Sequence, residues 1–234
     1  MAIKGILFDK DGTLIEVNGT WIPTYRAMLT KLFNCDQAKA DQLLMQAGFD
    51  PKTQSFIAGS VLAAGTMRQL VDIWWPGFSD AEAHAHIAMI ERDFAHEARA
   101  YLKPLLSLDP VLAELQAMGM VLGVATNDNF KSATAHIDAL GMAHYFVEII
   151  AADTVPVPKP SGDMIRQFAL TTGLDVSEIA MVGDNSHDME EAHNGGAGLA
   201  IGVLTGNAGR EHIEHLAHYT LNSIADIPNL LRRL

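Results

Sequence analysis

Four polar runs in this chain carry residue types that do chemistry at short spacing. Asp9-Lys10-Asp11-Gly12-Thr13 follows the apolar residues Ile3, Ile6, Leu7 and Phe8. Thr126-Asn127-Asp128 follows the stretch from Met120 to Ala125, and Gly183-Asp184-Asn185-Ser186-His187-Asp188 follows Ile179 to Val182. Lys159 lies in Val155-Pro156-Val157-Pro158-Lys159-Pro160. In an extended chain, residues two apart point the same way, so Asp9 and Asp11 are expected to face one side where the first strand stops. Two carboxylates that close repel unless a cation or a shared proton relieves them. A hard divalent ion with oxygen ligands, such as Mg²⁺, is the natural relief. Asp and Gly are also ordinary turn residues, so the first run alone does not decide the matter. Prolines on both sides of Lys159 restrict its backbone, a setting suited to aiming an ammonium.

The elements that must position these residues follow from hydrophobic pattern and helix stop signals. Apolar runs at 3–8, 120–125, 145–150, 179–182 and 198–203, with a short one at 219–221, read as strands. Helical stretches from Asp109-Pro110 to Gly119, from Phe130 to Gly141 and from a Ser161 cap to Gly173 separate them. Strand–helix alternation with apolar strands implies a parallel sheet covered on both faces. In such sheets ligands bind beyond the carboxyl ends of the strands, which would gather in one crevice the three runs that follow strands directly, those at Asp9, Thr126 and Gly183. From Trp21 to about Arg99 the pattern is helical throughout, with no clear strand. Asp36 and Ser79-Asp80-Ala81-Glu82 mark helix starts there, the second as a capping box. Asn18-Gly19 signals a turn in a short flap ahead of this block. The expected fold class is α/β: a Rossmann-like, three-layer core over 1–16 and 100–234, with an all-helical cap domain over 17–99.

With 49% hydrophobic and 19% charged residues among 234, the chain is globular rather than disordered. A net charge of -12 argues against nucleic acid or an anionic membrane surface as the main partner. Cys35 is the only cysteine, which fits a reducing cytosol and cytoplasmic residence. The N-terminus lacks a signal-peptide layout, and no apolar run approaches the ~20 residues that span a bilayer.

Asp9-Lys10-Asp11-Gly12-Thr13, Thr126, Lys159 and Gly183-Asp184 with Asp188 together resemble the four motifs of the haloacid dehalogenase superfamily. The helical block lies where that family inserts its cap. Gly202 to Gly206 and Ser223 to Pro228 are similar to the phosphoglycolate phosphatase-like branch. The resemblance implies a Mg²⁺-dependent phosphatase acting on a small phosphomonoester through an aspartyl-phosphate. Asp9 would be the nucleophile and Asp11 the acid, then the base. Asp9, the Asp11 carbonyl and Asp184 would hold Mg²⁺, with Asp188 ligating through water or orienting that shell. Thr126 and the Asn127 N–H would hold phosphoryl oxygens, and Lys159 would neutralise charge and restrain Asp9. A monomer or homodimer is expected.

A β-phosphoglucomutase-like phosphotransferase shares every one of these core residues, so the motifs leave that alternative open. A non-catalytic regulator on the same scaffold is the further alternative, although such proteins tend to lose an acid that this chain retains. Lys10 is expected only to offset charge or point to solvent. His212, His215 and His218 recur every third residue, yet three-residue steps drift around a helix, so surface histidines are expected rather than a metal face. His187 is not expected to act as an acid–base group. Trp21, Lys52 and Arg68 are the block's candidates for meeting substrate, weighed against structural or solvated roles.

Overall fold

Each apolar run contributes a strand, and the inner ones are almost wholly buried because a parallel sheet covered on both faces leaves them no face for polar residues. In the run at 145–150, Tyr145 falls in a 3-10 turn and the strand starts only at Glu148. The computed structural model describes residues 2–57 and 59–234, and the chain divides into two compact units. One comprises residues 1–16 and 103–234, the other 17–102. In chain order, β1 (Gly5–Phe8) leads into the second unit, with α1 (Val17–Leu32), α2 (Gln37–Ala47), β2 (Phe49–Asp50), β3 (Ser55–Phe56), α3 (Val61–Ala64), α4 (Met67–Trp74) and α5 (Asp80–Tyr101). The first unit resumes with α6 (Leu108–Ala117), β4 (Val121–Thr126), α7 (Phe130–Ala139), β5 (Glu148–Ala151) and α8 (Asp163–Thr172). It ends with β6 (Ile179–Gly183), α9 (Ser186–Gly195), β7 (Leu199–Val203), α10 (Arg210–Ile213), β8 (Tyr219–Leu221) and α11 (Ile227–Leu231).

The six-stranded sheet has the order β5-β4-β1-β6-β7-β8, with every pairing parallel. The chain leaves β1 toward β4 and later returns to its other side as β6, so β1 is the point where strand order reverses. Phe8 is level with Val124 on one side and Val182 on the other. That register places Asp9 and Asp184 just past the same edge and Thr126 at the end of β4 beside them, where an open α/β sheet binds ligands. Leu7, Ala125, Met181 and Ala200 from the sheet pack with Ile165, Phe168, Met189 and Ala192 from α8 and α9.

The second unit has its own core, including Trp21, Leu44, Trp74 and Ile90. Asp36 and Ser79 cap α2 and α5 as their side chains predict, and the Ser79–Glu82 capping box is complete. Three expectations need correction. The unit is not wholly helical, because Phe49 and Phe56 pair across a short antiparallel hairpin that buries both rings. Asn18-Gly19 forms no turn: both lie in the first turn of α1, where Asn18 accepts the Phe56 N–H with its side chain. Ser161 is not the N-cap of α8; Gly162 is, and the buried Glu191 carboxylate accepts the N–H groups of Gly162, Met164 and Ile165. A carboxylate from α9 thus does for α8 what a local serine does elsewhere, satisfying donors that a helix start leaves open.

Candidate active site

Asp9 follows β1 directly, and its N–H still donates to the Val182 carbonyl at 2.7 Å. Its side chain is buried against Lys159, whose Nζ donates to Asp9 Oδ1 at 2.6 Å and to Asp188 Oδ1 at 2.5 Å. Asp188 sits in the first turn of α9, where its other oxygen accepts the Asn185 N–H. Asp184 follows β6 and is buried beside them. Ligand atoms of Asp9, Asp184 and Asp188 all lie within 4.8 Å of one another. Asp11 does not join this cluster with its carboxylate, since Lys10 Nζ donates to Asp11 Oδ2 at 2.6 Å. The two acids of the first motif are therefore relieved by separate ammonium groups.

Lys10 departs furthest from expectation. It offsets charge, as its type suggests, but it is fully buried rather than solvent-facing. Beside Asp11, its Nζ lies 3.5 Å from Asp128 Oδ2. An ammonium with no access to water is tolerated only when paired, and here the partners come from the first two motifs. The one signal available beforehand was its place between two acids.

Thr126 ends β4 and its hydroxyl accepts the Asp128 N–H at 3.1 Å. Asn127 grips the backbone of Lys159 at two points: its Oδ1 accepts the Lys159 N–H and its Nδ2 donates to the Lys159 carbonyl. The peptide between Lys159 and Pro160 is cis. The loop behind β7 was marked in the sequence only by a family resemblance over Gly202 to Gly206, with no part in the site assigned to it. Thr205 donates its hydroxyl to the Gly12 carbonyl at 2.6 Å. At Gly206 a Cβ would stand 1.6 Å from Asp184 Oδ2, so only glycine lets that backbone lie against the acid.

Burial pushes the Asp9 carboxyl up to about 7; Lys159 opposes that rise, while Asp188 and Asp11 add to it. Asp184 is raised as well, by burial first and then by Asp9 and Asp188. For Lys159, burial favours the neutral amine, yet Asp188 and Asp9 outweigh it and hold the group above its ordinary value. Lys10 follows the same logic with Asp11 and Asp128. The acids themselves test whether a metal fits. Three buried carboxylates against one ammonium leave two formal negative charges, and two of the acids resist ionisation. An all-oxygen donor set with that excess suits a hard divalent cation.

His218 accepts the Ala200 N–H through Nδ1, joining β7 to the turn before β8. Among the described residues, the three aspartates are the only such grouping of His, Cys, Asp or Glu. In the second unit Trp21 stacks on Phe94 within the core, while Arg68 pairs with Asp72 and Asp80. No helix among the described residues is long and apolar enough to cross a membrane.

A parallel sheet that gathers acids and a lysine at one edge agrees with the family model for haloacid dehalogenase-like hydrolases, which matches residues 3–196, and the chain belongs to that family. It is 27% identical to a phosphoglycolate phosphatase of Chromobacterium violaceum, over 98% of this chain and 97% of the relative. It is 26% identical to the pyrophosphatase PpaX of Bacillus velezensis, over 96% of this chain and 94% of that one. The crystal structure of a predicted phosphoglycolate phosphatase from Haemophilus somnus shares the fold, with a TM-score of 0.73, 22% identity and 97% of each chain covered.

Proposed function

We propose that this hydrolase is a divalent-metal-dependent phosphatase that cleaves a small phosphomonoester through a phosphorylated Asp9. The observation that carries the reading is the Asp9 carboxylate held by Lys159 amid two further acids. Asp9 Oδ attacks phosphorus, the bond from phosphorus to the ester oxygen breaks, and protonated Asp11 gives its proton to the departing alkoxide. Water then attacks the acyl phosphate, Asp11 takes that water's proton, and inorganic phosphate leaves a restored Asp9. Lys159 steadies the attacking carboxylate and offsets charge at the phosphoryl group, with Thr126 and the Asn127 N–H holding its oxygens. Losing one such preorganised contact typically costs ~10²–10³ in rate.

Asp9, Asp184, Asp188 and the Asp11 carbonyl are the residues that would hold Mg²⁺, with Asp188 acting directly or through water. When bound, the ion supplies positive charge against both the carboxylates and the phosphoryl oxygens. The unit spanning 17–102 is proposed as the substrate-selecting cap. The relatives' names make 2-phosphoglycolate the first substrate to try and pyrophosphate the second. Release of phosphate from a panel of phosphorylated metabolites, with Mg²⁺ and with a chelator, tests the reading. The expected outcome is metal-dependent turnover with one compound well ahead. Phosphate release unaffected by the chelator would overturn the metal assignment. Turnover of hexose phosphates only with glucose 1,6-bisphosphate present would favour the mutase.

A further inference from the structure

We infer that Lys10 is a positioning residue for the Asp11 carboxylate, and that Asp128 is its anchor. The inference rests on the proposed role of Asp11 as acid and base, and it adds a device that fixes where that proton is delivered. Lys10 has no exposed surface. Its Nζ lies 2.6 Å from Asp11 Oδ2 and 3.5 Å from Asp128 Oδ2, whereas Asp11 keeps 33% of its side-chain surface open. The ammonium therefore holds the acid from the protein side and leaves part of it accessible.

Both ends of this brace are themselves pinned. The Lys10 carbonyl accepts the N–H groups of Leu14 and Ile15, each at 2.9 Å, so the loop behind β1 winds around this residue. Asp128 accepts the Asn129 N–H at Oδ1 and the Ala152 N–H at its carbonyl, and donates its own N–H to Thr126 Oγ1. The buried ring of His136 on α7 stands 3.7 Å from the Asp128 oxygen that faces Lys10. Asp11 itself lies past the end of β1, held by a single bridge to Ile15, and adjoins Gly12, whose φ of +84° turns the backbone sharply. Proton delivery needs the acid within about 2.6–3.2 Å of the leaving oxygen, so a carboxylate free to change rotamer would often be out of range. The Asp11–Lys10–Asp128 chain removes that freedom and ties the loop behind β1 to the loop behind β4.

The test compares two probes of nearly the same shape, phenyl phosphate and p-nitrophenyl phosphate, at saturating Mg²⁺. The nitrophenol departs easily without a proton, whereas phenol depends on the acid. The value of kcat/KM reports steps through phosphorylation of Asp9, so the shared hydrolysis of that intermediate does not enter. Lys10→Met is expected to lower kcat/KM for phenyl phosphate by about 30-fold or more and for p-nitrophenyl phosphate by about threefold or less. An equal loss on both probes, or no loss on either, overturns the inference. Asp11→Asn, measured alongside, separates the two claims. If Asp11→Asn discriminates between the probes and Lys10→Met does not, Lys10 has no positioning role and the acid–base assignment stands. If Asp11→Asn does not discriminate, the assignment of Asp11 falls and the inference with it. Should Lys10→Met fail to fold, Asp128→Asn decides: it keeps the ammonium, loosens its anchor and should shift the probe ratio in the same direction, and an unchanged ratio counts against the proposal.

Discussion

Asp9 is surrounded by groups that pull its proton affinity in opposite directions. Burial and the neighbouring acids raise its pKa to about 7, well above the ordinary carboxylate range, even with Lys159 at 2.6 Å. A carboxyl with a raised folded-state pKa adds stability while protonated, fully so below its unfolded pKa. That contribution is lost as pH rises from about 4 through about 7. Asp9→Asn mimics the protonated form and cannot undergo this loss. In metal-free buffer, the variant should therefore gain on the parent protein between pH 5 and pH 8, read as the difference in urea midpoint at the two values. Its phosphatase turnover should fall by roughly 10³ or more, because an amide is no nucleophile toward phosphorus. A variant that kept the parent's turnover would refute the nucleophile assignment.

At the scale of elements, the site depends on loops meeting past the ends of β1, β4, β6 and β7. The register of Phe8 with Val124 and Val182 brings the first three together. The fourth arrives through Thr205, which binds the Gly12 carbonyl, and through Gly206, which lies against Asp184. Gly206→Ala places a methyl group where an Asp184 oxygen now sits, so the acid or the loop must move. The expected result is about a tenfold or greater weakening of Mg²⁺ activation, the range seen when groups supporting metal ligands are disturbed. The secondary-structure content should stay unchanged by circular dichroism. Titrating activity against Mg²⁺ checks this, and an unaltered activation constant would show that Asp184 lies outside the metal's reach.

At the scale of the whole molecule, the acid cluster makes folding, metal and protons interdependent. Ionising all three buried acids beside one ammonium would leave two negative charges uncompensated, so without a cation Asp9 and Asp184 tend to hold their protons. Mg²⁺ at a hundred times its dissociation constant should add about 2.7 kcal/mol to stability by mass action, visible as a higher thermal midpoint than in chelator. If Asp9 and Asp184 are ligands as proposed, the increment should be larger at pH 8 than at pH 6, because both raised carboxyls would have to release protons on binding metal. Calorimetry in buffers of different ionisation enthalpy should show protons leaving as metal enters, and a pH-independent affinity would exclude both acids as ligands.

The primary structure alone determined the strand runs, their parallel arrangement and the order in which Asp9, Asp11, Thr126, Lys159, Asp184 and Asp188 reach the sheet's edge. Hydrophobic period and capping chemistry are local, so Ser79 and Asp36 announce their helices within a few residues. Asn18-Gly19 misled because Phe56, whose N–H donates to the Asn18 side chain, lies far along the chain, and packing there overrode the turn preference. For the same reason Ser161 gave way to Glu191 as the group that satisfies the start of α8. Only the tertiary structure decided that Lys159 bridges Asp9 to Asp188, that Asn127 holds the Lys159 backbone, and that Lys10 is sealed between Asp11 and Asp128. Ion pairing and burial depend on distances through space, and a lysine's type carries no record of which carboxylates the folded sheet will bring to it.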